Sequence, residues 1–108
     1  MIDWNRVRAL RDEVGPEDFE EVVELFLEEV DSEISELDDK APNFGEKLHF
    51  LKGSALSLGF RQFSSLCQQG ESGLAQGSGT EIDVSALHAC YQASRNDFLE
   101  NLGSETGG

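Results

Sequence analysis

The residues best suited to chemistry lie in one short run, Leu48 to Phe60, which reads LHFLKGSALSLGF. His49 supplies an imidazole that is mainly neutral at pH 7 and nucleophilic without a separate base. Lys52 stands one helical turn on, where its ammonium could neutralise an anion attached to the ring. Gly53 is the odd member. A glycine inside a helix costs about 1 kcal/mol relative to alanine, so its presence on an outward face suggests that something approaches the backbone there. The bland readings are a surface histidine, a solvated lysine and a tolerated glycine. Only their conjunction favours a site.

The element that must carry them is an amphipathic helix. Phe44, Leu48, Leu51, Ala55 and Leu58 fall at alternating steps of four and three, which makes one apolar face. At 100° per residue His49 lies roughly 140° from the centre of that face, with Gly53 almost opposite it. Glu46 and Ser57 share the outer side, and Leu56 adds an exposed apolar contact beside the histidine. Gly53, Leu56, Ser57 and Glu46 therefore form the candidate docking surface.

A second helix must return alongside. Gly59 is placed to end the first with a left-handed residue, and the next helix starts near Arg61, so the two should be antiparallel neighbours. Counting through a turn at Gly59-Phe60 brings Glu71 level with His49. A carboxylate there could accept a hydrogen bond from Nδ1 and leave Nε2 as the nucleophile. Gln68, one turn nearer the loop, could donate to an attached group. Both would otherwise be ordinary rim residues. His88, beside Leu87 near the apolar stripe of the last helix, reads as a boundary residue. Two histidines and two cysteines on different helices disfavour a zinc site, so no metal ligands are assigned and no cofactor of its own is expected. There is no nucleotide-binding glycine loop, hence no autonomous kinase activity is expected.

Composition narrows the partners. Net charge is −14, with 22 acidic residues against 8 Lys and Arg, which argues against binding nucleic acid or an anionic membrane. Of those acids, 12 lie between Glu17 and Asp39, an interval with no Lys or Arg. Its simplest reading is a solvated helix face; an acidic mimic that blocks a basic site is a weaker one. No apolar run approaches membrane-spanning length, the N-terminus does not resemble a signal peptide, and Cys67 and Cys90 are far apart. Reduced thiols in a cytoplasmic monomer are expected.

The chain of 108 residues is one domain. Ile2 to Val14 forms a short helix capped by Asp3, with Trp4, Val7 and Leu10 closing one end of a bundle. Pro16 to about Lys40 is read as the longest helix, of about 37 Å, with Pro16 in its first turn and Phe19, Val22, Val23, Phe26, Val30, Ile34 and Leu37 inward. Asn43 caps the helix bearing His49. Phe63, Leu66, Cys67, Gly70 and Leu74 stripe the next one, which fades into a flexible loop from Gly73 to Gly79. Asp83 caps the last helix, with Val84, Leu87, Tyr91, Ser94, Phe98 and Leu102 inward. The expected fold is all-α: an antiparallel up-down four-helix bundle with an additional short N-terminal helix, spanning residues 1–102, and a flexible tail at 103–108.

The run His49-Phe50-Leu51-Lys52-Gly53-Ser54-Ala55, followed by Leu58-Gly59, resembles the signature of the histidine phosphotransfer (HPt) domain, H-x-L-K-G-[SA]-[SA]-x-x-[LIV]-G. Leu66-Cys67 followed by Glu71 resembles the family's second segment, and the helix pattern extends the likeness over nearly the whole chain. The resemblance implies a phosphorelay intermediate. His49 would accept a phosphoryl group from a receiver-domain phospho-aspartate or a sensor histidine kinase relay and pass it to another receiver. Lys52 would sit near the phosphoryl oxygens and Gly53 would allow the partner's close approach. The receiver would bring magnesium. In some chemotaxis-kinase members an acidic residue orients the imidazole, as Glu71 could here; where those members often carry a second histidine, this chain has Gln68. The alternative is a non-catalytic helical interaction module that docks or sequesters a partner.

Overall fold

A computed structural model describes residues 2–38, 40–76 and 83–105. Five helices follow in order: α1 Trp4–Val14, α2 Phe19–Ser35, α3 Phe44–Leu58, α4 Arg61–Gln76 and α5 Val84–Glu105. Among the described residues the only β-type pairing is an isolated antiparallel bridge between Ile2 and Phe60. The molecule measures 45 × 20 × 20 Å, the proportions of helices laid lengthwise.

The core runs along that long axis. Val23, Leu27, Val30 and Ile34 of α2 meet Leu48, Leu51, Ala55 and Leu58 of α3, Phe63 and Cys67 of α4, and Leu87, Tyr91 and Phe98 of α5, all buried. Burying such side chains contributes about 1.5–3 kcal/mol each, enough to hold helices that are marginal in isolation. Where α3 meets α4, aromatic rings close the end. Phe60 contacts Phe98 edge-on at 5.4 Å, and Trp4 stacks on Phe98 at 5.8 Å. So α1 caps the end as its stripe predicts.

Gly59 is the hinge of this end. Its φ of +78° is the left-handed conformation, and a Cβ there would lie 2.6 Å from the Asp3 carbonyl oxygen. Asp3 N–H donates to the Gly59 carbonyl at 2.7 Å, so α1 is docked by backbone contact against a residue that must lack a side chain. Arg6 adds a tie from Nε to the Ser57 carbonyl at 3.3 Å.

Several expectations are corrected. The second helix spans 17 residues, about 25 Å, rather than Pro16 to Lys40. Pro16 lies in a turn closed by Asp18 N–H onto the Gly15 carbonyl. At the other end Glu36 and Asp38 would place negative charge on the negative pole of the helix dipole, and no basic residue stands in the last turn to offset it. Asn43 caps α3 through its carbonyl, not its side chain. On α4 Ser64 is buried while Leu74 remains 46% exposed, resting near Gly45. The last helix continues through Gly103, Ser104 and Glu105, where the sequence suggests a tail. Asp39 and residues 77–82 and 106–108 lie outside the described residues. Asp3 and Asp83 do cap α1 and α5, accepting from the N–H groups of Arg6 and Ala86.

Candidate functional site

His49 stands on the outer face of α3 with its side chain 73% exposed, because its core-facing neighbours Leu48 and Leu51 are fully buried. The turn at Gly59-Phe60 folds α4 back alongside α3. That return brings Glu71 level with His49, and Nδ1 lies 3.2 Å from Glu71 Oε2. Lys52 Nζ lies 2.9 Å from the other oxygen, Oε1, and donates to Gln68 Oε1 at 3.0 Å. Gln68 Nε2 in turn donates to Ser72 Oγ at 3.2 Å. One carboxylate thus spans the imidazole and the ammonium.

The charge state of Glu71 sets the tautomer of His49. The hydrogen bond from Lys52 is the largest influence holding its carboxyl below the usual carboxylate range, and the contact with His49 adds to it against the opposing effect of burial. An ionised carboxylate only accepts hydrogen bonds. Nδ1 must therefore carry the proton, and in the neutral ring the lone pair resides on Nε2, which has no hydrogen-bond partner among the described residues. A positive charge developing on the ring would be stabilised by Glu71.

The surroundings suit a protein partner better than a small molecule. Gly53 is exposed, and a Cβ added there would meet nothing within 4 Å, so nothing among the described residues demands the glycine. Leu56 is 54% exposed on the same side. It lines an open groove of about 420 Å³ with Lys52, Arg61, Ser64, Ser65 and Gln68. Glu46 is exposed, whereas Ser57 is half-buried with its carbonyl engaged by Arg6.

The four residues His49, Lys52, Glu71 and Gln68 are brought together; His88 is half-buried on α5 and makes no contact with them. The sequence reading missed Ser72 and Arg61. Ser72 lies four positions after Gln68, the spacing at which helix side chains meet, and that was the available signal. Gln68 was expected to donate to an attached group, but here its amide N–H is turned to Ser72 and its oxygen receives Lys52. Among the described residues no group of three or more His, Cys, Asp or Glu side chains is placed to hold a metal ion, and no helix is long and apolar enough to cross a membrane.

The family model described as Hpt domain matches residues 21–97, from the first turn of α2 into α5 and across the entire site. No curated protein and no solved structure matches the chain significantly. Hpt domains are helical bundles that act in histidine phosphotransfer of two-component signalling, interacting with receiver domains and histidine kinases. With an exposed imidazole at its centre and the family match covering both helices that frame it, this chain belongs to the Hpt domain family.

Proposed function

We propose that the chain is a phosphorelay intermediate in which His49 receives a phosphoryl group from the phospho-aspartate of a receiver domain, or from a histidine kinase relay, and passes it to another receiver. The observation that carries this is the His49–Glu71 contact, in which the carboxylate accepts from Nδ1–H and so leaves the lone pair on Nε2. In the forward step Nε2 attacks phosphorus, the N–P bond forms, and the acyl phosphate P–O bond breaks to return the aspartate carboxylate. The ring gains positive charge, which Glu71 balances through Nδ1–H. The reverse step restores the lone pair to Nε2.

Lys52 sits one turn from the ring and would swing from Glu71 and Gln68 to the phosphoryl oxygens. The transfer asks mainly for alignment and charge neutralisation. Magnesium would be held by the receiver, so this chain contributes the nucleophile, one cation and the docking surface of Gly53, Leu56, Ser57 and Glu46. It is a carrier without autonomous kinase activity, working as a cytoplasmic monomer. The scaffold is an antiparallel up-down bundle of α2 to α5 capped by α1.

The test is incubation with a phosphorylated receiver and magnesium. Acid-labile, alkali-stable label should appear on this chain and be absent from His49→Gln. Equal label on that variant would move the site elsewhere. Receiver binding with no label on either protein would instead support the interaction module.

A further inference from the structure

We infer that α2 carries a second docking surface, distinct from the His49 face, that receives a basic amphipathic helix of another protein. The surface is a groove on α2 alone. One of its walls is the row Glu21–Leu25–Glu29, four residues apart, and the adjacent row is Val22–Phe26. Rows of this kind are the ridges between which a neighbouring helix seats its own side chains. Val22, Leu25, Phe26 and Glu29 line a depression of about 200 Å³. That is smaller and more open than a site for a drug-sized ligand, and it suits one or two anchoring side chains. Leu25 is 58% exposed, the highest among the exposed large hydrophobic residues described.

The charge around this apolar patch selects the occupant. Glu33 and Glu36 pair with Lys47, and Asp31 pairs with Arg95. The side-chain carboxylates of Glu21, Glu24, Glu28 and Glu29, which surround Leu25, have no ion pair or hydrogen bond among the described residues. A partner helix that seats an apolar residue between Leu25 and Phe26 brings its side chains one turn away over Glu21 and Glu29, where Lys or Arg would be neutralised. Nucleic acid and anionic lipid are repelled by these carboxylates. A second copy also carries −14 and the same α2, so self-association is opposed.

The surface is independent of phosphotransfer. The two grooves share no lining residue: this one is lined by α2 alone, and the one beside His49 by residues of α3 and α4. Both faces can therefore be occupied together, which would let a bound partner helix hold the chain beside its relay.

The probe is a synthetic peptide of about 18 residues, or five turns, with leucine along one helical stripe and lysine on both flanks. A scrambled peptide of equal composition is the control. Titrated into the ¹⁵N-labelled full chain, the amphipathic peptide should shift the amides around Val22, Leu25, Phe26 and Glu29. Leu25→Asp, a change at an exposed position, should weaken binding about tenfold or more, equal to about 1.4 kcal/mol. His49→Gln should leave it unchanged. Equal affinity for the scrambled peptide would reduce the surface to non-specific charge and overturn the proposal. So would shifts centred on Leu56 and Arg61, insensitivity to Leu25→Asp, or no binding. Binding of anionic vesicles, or dimerisation in sedimentation, at this face would reject a basic helix as its occupant.

Discussion

Nδ1 of His49 lies 3.2 Å from Oε2 of Glu71, a residue 22 positions later on the returning helix. The second carboxylate oxygen holds Lys52, so one side chain aims the nucleophile and stores the cation that the transferred group will need. Glu71→Gln keeps the shape but can neither balance an imidazolium nor anchor Lys52 as strongly. Transfer to the chain from a phosphorylated receiver should slow by about tenfold to a hundredfold, the scale of one or two charge-assisted hydrogen bonds. Rapid-quench measurement of labelled chain would read this. An unchanged rate would assign Glu71 a purely structural role.

The same carboxylate makes stability pH-dependent. Its folded pKa is lowered from 4.5, first by Lys52. A depressed value contributes stability that is fully present above the unfolded pKa and is lost as pH falls through the folded one. Urea midpoints should therefore fall more steeply below about pH 4.5 in the wild type than in Glu71→Gln. Parallel acid limbs in the two proteins would contradict the shift.

Gly53 and Gly59 should respond in opposite senses. A Cβ at Gly53 meets open space, and alanine is the better helix former, so Gly53→Ala should raise stability by up to about 1 kcal/mol. Gly53→Gln should retain the fold by circular dichroism while slowing transfer from the receiver. At Gly59 the left-handed φ and the clash with the Asp3 carbonyl both oppose a side chain. Gly59→Ala should cost about 2–4 kcal/mol. Denaturant unfolding of the two alanine variants checks both signs.

Tyr91 is fully buried, and its hydroxyl donates to Asp31 Oδ1 at 2.5 Å, tying α5 to α2. Burial and the neighbouring carboxylate raise its pKa, so the hydroxyl stays protonated at neutral pH. Tyr91→Phe should cost about 1–2 kcal/mol in urea unfolding. No loss would mean that water serves Asp31 equally well.

Burial, reinforced by the charge of Glu71, pushes the Cys67 thiol up to about 12. Near pH 8 the native protein should resist iodoacetamide at Cys67 and react there only on unfolding. Mass spectrometry of peptides labelled with and without urea distinguishes the two states. Fast native labelling would show that α4 opens readily.

His49, Lys52 and Gly53 were legible because a helix fixes the direction of each side chain from its neighbours' spacing: once Leu48 and Leu51 face inward, His49 must face out. The level of Glu71 could also be counted, since Gly59 marked the turn and each helix advances by a constant rise. Ends were less legible. The early stop of α2 at Ser35 and the continuation of α5 to Glu105 balance dipole, charge and packing terms of a few tenths of a kcal/mol to about 1 kcal/mol, which no single residue declares.

What the sequence determined by itself was the helical periods, the outward histidine and the excess of acid on one segment, all properties of local spacing and composition. Tertiary structure decided the rest. It decided that Glu71 serves His49 and Lys52 at once, that Gln68 turns its donor to Ser72, and that Leu25 stays uncovered among unpaired carboxylates. Those outcomes depend on which faces two helices present to each other, and a rotation of either by one residue, about 100°, would reassign every partner.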